Sequence, residues 1–319
     1  MEKYIPIFVV ILASMAGGYA CQKLRLVGER LAAWLMTWVT VLGYPAISLV
    51  AIWKIQPLRI ELLWLPLLAC IQVGLIAIMA APLANILTKD RGERGVFVLA
   101  SAFGNTGLTM GSFILYVLFG QEGLSLGSLY FLFFTLTVVF LGYPVARHYS
   151  SSGPPRPLWR LLVHSLLDWR GLALPISLAG LALSLCRVPV PGAIDRLHVI
   201  DVLLYAINIS AYFAIGLRLQ MSHVWALKKL VAGLAVSRFA LGLASGILMV
   251  GLTHLTAWPL QGVAVPAMII QSFVPTAITT VALANMFDLR ARESSVLFVA
   301  NTLMYLVLVL PPTLWFFSR

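Results

Sequence analysis

Charge is what this chain has least of. Only 10% of its 319 residues are Asp, Glu, Lys or Arg, against about a quarter in ordinary soluble domains. In their place 61% of the residues are hydrophobic, and mean hydropathy is +0.97. No water-soluble core of this length requires so much apolar surface, so the chain reads as an integral membrane protein in contact with a lipid bilayer. Cysteine is scarce as well. Cys21, Cys70 and Cys186 lie in or beside separate apolar stretches without paired spacing, which argues against a disulfide framework or a cysteine metal site. The five histidines are scattered through loops, and no glycine-rich phosphate loop carries the lysine that nucleotide binding needs. Neither zinc chemistry nor ATP drive is therefore expected, and no cofactor. No nucleophile and base share a helix face, so the chain is not read as an enzyme.

The most telling shortage is of acids at depth. All eleven acidic residues fall in loops or at the ends of apolar stretches. Pumps and cation carriers use carboxylates inside the membrane to hold or relay positive charge. Their absence argues against a cation as the main cargo, and a proton is expected rather than sodium if any coupling ion is used.

What is present is a series of apolar stretches, each near the 20 or so residues that cross the hydrocarbon. They run over 5–22, 31–53, 62–87, 95–119 and 124–146, then 171–186, 199–217, 230–252, 262–287 and 295–317. The fold class is accordingly all-α, an integral membrane protein with ten spans. Gly18 and Cys21 loosely imitate a signal-peptide cleavage site, but Gly18 stands where a lipoprotein signal carries a leucine-like residue, and the first stretch is read as a retained span.

The net charge of +11 is not gathered on a soluble domain, so nucleic acid is not an expected partner. It is sorted by membrane side: fifteen Lys and Arg residues follow odd-numbered spans and six lie on the opposite face. Positive-inside bias then puts the odd loops in the cytoplasm and both termini outside the cytoplasm of an inner or plasma membrane.

Five spans in each half force the second half to enter the membrane inverted relative to the first, the arithmetic of an inverted repeat. The expected organisation is a first repeat over 1–146, a connector over 147–170 and a second repeat over 171–319. In the connector Arg160, His164 and Asp168 recur every four residues, the spacing of a short helix in the cytoplasmic interface. A plain solvated linker is the alternative.

Spans four and nine are irregular. Phe103 to Ser112 holds three glycines, Asn105, Thr106 and Thr109, and hydrocarbon tolerates such a break only against protein or a watery cavity. Span nine answers with Gln271, Ser272, Pro275 and Thr276. Pro275 has no N–H and should free the carbonyl of Gln271 and kink the helix. Two such breaks are expected to cross antiparallel near the midplane, with half-helix N-termini favouring an anion.

Asn105 both donates and accepts, so it serves freed backbone or cargo, and Asn105 with Gly107 also fits simple capping and close packing. Arg238, the one deep charge, lies about 12 Å into span eight. It either grips a substrate carboxylate with its fork or caps the carbonyls of a broken helix. Asn208 and Ser210 in span seven are read as interhelical hydrogen-bond glue before ligands.

Several of these segments resemble a known family. Leu99-Ala-Ser-Ala-Phe-Gly-Asn-Thr-Gly107, Leu118-Phe-Gly120, Leu174-Pro-Ile-Ser-Leu-Ala-Gly180, Ala214-Ile-Gly216 and Val274-Pro-Thr-Ala277 are similar to the auxin efflux carrier family of plant PIN-type carriers and bacterial organic-acid permeases. The resemblance implies ten helices in two inverted five-helix repeats, with crossed broken helices at spans four and nine. It also implies alternating-access transport of a small organic anion such as a mono- or dicarboxylate, and a homodimer. By motif position the crossover asparagine is Asn105 and the span-nine proline Pro275. The expected substrate site is then Asn105, Thr106, Gly107, Gln271, Ser272, Pro275 and Thr276, with Arg238 as an accessory. Leu108, Met110 and Ser112 depart from the family pattern of phenylalanine, glycine and proline, which predicts a blunter break in span four or one shifted in register to Gly111. The rival readings are a sodium-coupled carrier of the bile-acid type and a membrane receptor that binds without transporting.

Overall fold

A computed structural model describes residues 9–27, 29–150, 172–218 and 225–317; the expected helix of the connector lies outside them. The described residues are overwhelmingly helical, with no strand among them. Six helices are long and apolar enough to cross a membrane: Arg30–Trp53, Ile60–Leu87, Gly111–Tyr149, Val199–Gly216, Lys228–Thr253 and Ala291–Phe317. The chain is a multi-pass membrane protein.

Ten stretches were expected, and the difference has local causes. Ala173–Leu185 is apolar but has 13 residues, and the first stretch is described only from Val9 to Lys23. Spans four and nine are each in two pieces: Arg91–Ala102 and Gly111 onward, Ala264–Ser272 and Thr279–Met286. The chain leaves the helix after Gly111 at Gly120, whose φ of 60° and ψ of −143° lie in a region open to glycine, and a further helix follows directly.

Proline shapes the long helices without breaking them. Val39–Gly43, Val138–Gly142 and Tyr305–Val309 are π-helical turns, followed shortly by Pro45, Pro144 and Pro311. A proline ring clashes with the carbonyl four residues back, here Val41, Phe140 and Val307, and each of these lies inside its widened turn. Two further such turns among the described residues, Val9–Ala13 and Val236–Leu241, have no proline behind them, and the second contains Arg238.

The chain forms two compact units, each discontinuous in sequence. The first comprises the described residues of Met1–Arg59, Gly107–Leu132 and Ser165–Leu219. In it Ser14–Lys23 packs on Val199–Gly216 and Tyr44–Trp53 on Ala173–Leu185. Gly18 and Gly216 let the first pair approach closely: a Cβ on either would collide with backbone carbonyl oxygen, of Phe213 and Met15 respectively. The second unit comprises the described residues of Ile60–Thr106, Phe133–His164 and Gln220–Arg319. Its core is apolar and centred on Phe97, Leu99, Phe103, Leu234, Leu283 and Leu297. Arg91–Ala102 packs there against Trp64–Leu87 and Ala291–Met304, which puts the end of the first half of span four deep inside.

Candidate functional site

Asp90 starts the first half of span four by accepting the Glu93 N–H at 2.9 Å, an N-cap in extended conformation. The helix ends at Ala102, Phe103 turns extended, and helix resumes only at Gly111. The interruption therefore covers Phe103 to Met110 in full. Leu108, Met110 and Ser112 do not blunt it, since Leu108 and Met110 are buried within the break and Ser112 within the helix that follows.

In span nine the helix stops at Ser272, three residues before Pro275, and not at a kink on the proline itself. A proline disfavours helical conformation in the residue before it, so Val274 cannot continue the helix. Within the second unit the two breaks then pair as backbone. Asn105 N–H donates to Pro275 O at 2.7 Å and Ala277 N–H to Phe103 O at 2.8 Å. Gly104 and Thr276 face each other between these bonds as an isolated antiparallel bridge. Two N–H groups and two carbonyls of broken helices are thus satisfied across the crossing.

Arg238 holds three further carbonyls. Its Nε and Nη2 donate to Val274 O at 3.0 and 2.5 Å, Nη2 also to Ser272 O at 3.3 Å, and Nη1 to Ser101 O at 3.0 Å. Arg238 is 2% exposed. It caps the C-terminal ends of Arg91–Ala102 and Ala264–Ser272 together, where helix dipoles place partial negative charge. Gly104 makes room for it, because a Cβ there would collide with Nη2.

Sequence reasoning missed the supports of this cluster. Gln72 donates to Ser272 O at 3.4 Å and to Ser245 Oγ at 2.8 Å. Asn301 Oδ1 accepts the Thr276 N–H at 2.9 Å. Asn301 Nδ2 and the hydroxyls of Ser101, Ser237, Thr302 and Tyr305 are buried without a hydrogen-bond partner among the described residues, an unusual concentration of unmet polar groups for a membrane interior. The signal in the sequence is Asn301 itself, an amide inside the apolar stretch 295–317.

The expected site residues are thus distributed unevenly. Ser272, Pro275, Thr276 and Arg238 meet at the crossing; Gln271 lies beside it, fully buried. Thr106 is buried and donates to Gly104 O at 2.9 Å. Asn105 alone between residues 95 and 115 keeps partial exposure.

Gly107 belongs to the first unit, where the rest of the span-four break is braced separately. Its carbonyl accepts from Met110 and Ser112 N–H at 3.2 and 3.1 Å. Asn208 Nδ2 donates to Leu108 O at 3.1 Å, Tyr212 OH to Thr109 O at 2.7 Å, and the Tyr44 and Thr109 hydroxyls lie 3.0 Å apart. Asn208 is glue here, bonding freed backbone rather than another side chain.

No curated protein matches the chain. A family model described as membrane transport protein matches residues 1–152, a stretch that includes span four and its break. That match, over the first half of the chain, supports the resemblance of its motifs to the auxin efflux carrier family.

Proposed function

We propose that the chain is a secondary carrier or facilitator of a small organic anion, a mono- or dicarboxylate, working by alternating access at the helix crossing and not as an enzyme. One observation carries the reading. Asn105 is the partly exposed residue of an otherwise buried stretch, and it directly follows Gly104, whose missing Cβ makes way for the Arg238 guanidinium. An amide that can donate thus stands one residue along the chain from the glycine that faces a fixed positive charge, in a chain whose apolar stretches hold no acid at depth. That combination favours a carboxylate over a cation.

In this reading Asn105 contacts the substrate. Thr106, Gln271, Ser272, Pro275 and Thr276 shape the site around it within the second unit, and Asn301 and Tyr305 join as polar neighbours. The ten-span inverted repeat over 1–146 and 171–319, a homodimer, a proton in preference to sodium, and an inner or plasma membrane setting with both termini outside the cytoplasm belong to the same proposal.

The test is uptake of a panel of organic acids into proteoliposomes by the wild type and Asn105→Ala. The bond from Asn105 to Pro275 is made by the main chain, so the variant removes the amide and leaves the crossing paired. Uptake of the best substrate should fall about tenfold or more, the scale of one lost charge-assisted hydrogen bond. Unchanged affinity and rate would move the site elsewhere. Counterflow of labelled substrate separates a carrier from a receptor, which binds without accumulating.

A further inference from the structure

Arg238, 2% exposed, lies on three main-chain carbonyls, oxygens of the kind that also hold bound cations. The oxygens of Ser101, Ser272 and Val274 come from the ends of two broken helices, each left with unpaired carbonyls and a negative dipole end. Hard monovalent and divalent cations are held by oxygens of this kind, main-chain carbonyls above all where helices are unwound. Two further features show that the place is built for a charge. Arg238 sits in a π-helical turn that no proline explains, and such turns recur at functional sites. Gly104 leaves the volume that Nη2 occupies.

We propose that the carbonyls of Ser101, Ser272 and Val274 form a monovalent-cation site that the chain fills with its own Arg238, so that the carrier works without an inorganic cation bound at the crossing. A tethered cation is always present. It supplies the positive charge that would otherwise have to be recruited from solution before an anion could bind, and it removes any requirement for a sodium gradient at this point. Neutralising Arg238 should accordingly uncover the site and let a small cation enter it. This inference concerns the cation side of the crossing and rests on the carrier reading only where it speaks of transport.

The decisive experiment is chemical rescue of the full-length protein in lipid nanodiscs, read by thermal unfolding. Arg238→Ala should melt lower than the wild type by roughly 5 °C or more. It should recover most of that loss in non-denaturing guanidinium ion and part of it in sodium or lithium. N-methylglucamine, too large for the site, should do nothing, and the wild type should gain from none of the ions. A folded Arg238→Ala that melts like the wild type, or that no small cation restores, overturns the proposal. Should that variant fail to fold, Arg238→Lys and Arg238→Met decide the matter: Lys must melt above Met, and equal melting overturns the proposal. Uptake adds an independent arm. Sodium-dependent wild-type uptake of an organic acid would overturn the tethered cation while leaving the carrier standing. Intact rescue with no organic acid transported would overturn the carrier reading and leave the cation site in place.

Discussion

Gly104 and Arg238 share one volume: the hydrogen of the glycine faces Nη2 so closely that a methyl group in its place would collide with the guanidinium. The guanidinium in turn bonds the carbonyls of Ser101, Ser272 and Val274. The family-like motif around Asn105 therefore depends on a residue 134 positions away in sequence for its shape. Gly104→Ala should push Arg238 off at least one carbonyl and cost about 1–3 kcal/mol, the range for overpacking a filled interior. Thermal unfolding measures the cost, and a variant as stable as the wild type would show that the guanidinium can shift freely.

Asn301 tests the other side of the bridge. Its Oδ1 is the acceptor of the Thr276 N–H in a fully buried position. Asn301→Ala leaves that N–H without its acceptor and should destabilise the protein by about 1–3 kcal/mol. Amide hydrogen exchange at Thr276 should accelerate in step. Loss of stability without faster exchange there would assign the effect to packing.

Tyr212→Phe removes one hydroxyl from the first unit and nothing else. The Thr109 carbonyl loses a donor at 2.7 Å, at a cost of about 1 kcal/mol. Exchange of the Met110 and Ser112 amides, which close the turn on Gly107, should rise while amides of the second unit keep their protection. A uniform rise across the chain would contradict local bracing.

The loops offer a test by pH and salt. Asp90 is held below its ordinary value of 3.8, first by its hydrogen bonds to Arg290 and then by the Glu93 N–H. A carboxyl lowered on folding stabilises above its unfolded pKa, and that stability is lost as pH falls through the lower folded value. The melting difference between wild type and Asp90→Asn, which keeps a capping side chain, should therefore be present at neutral pH, begin to shrink as pH falls below about 3.8, and vanish only once pH is under the lowered folded value. Because the pair is partly exposed, the difference should be small, about 0.2–1 kcal/mol, and should shrink in high salt. A difference that persisted in acid would show that the charge of Asp90 contributes nothing.

Much of the fold was legible because membrane insertion depends on composition over about 20 residues, which a linear reading captures. Five of the six long helices coincide with expected stretches for that reason, while Gly111–Tyr149 runs across the expected boundary between 119 and 124; the break in span four was visible as glycine and asparagine where bulk should be. Helix ends were less legible. Pro275 marked span nine correctly, but the helix stops at Ser272, because the restriction falls on Val274 and propagates backward. Leu108, Met110 and Ser112 read as departures that should blunt the span-four break or shift it to Gly111; the interruption reaches Met110 and helix resumes at Gly111, with Tyr212 and Asn208 taking up freed backbone.

Composition, charge sorting and the two polar interruptions were determined by the sequence alone, because each follows from the cost of leaving polar groups in hydrocarbon. Partnership was decided only by the tertiary structure. A lone arginine in span eight can reach toward water, grip a ligand or cap a helix, and all three look identical in a linear string. Packing around Gly104 directs Arg238 onto the Ser101, Ser272 and Val274 carbonyls. Asn301 becomes part of the crossing only when folding brings it to the Thr276 N–H. Freed backbone groups announce that partners are needed, and three-dimensional proximity chooses which side chains supply them.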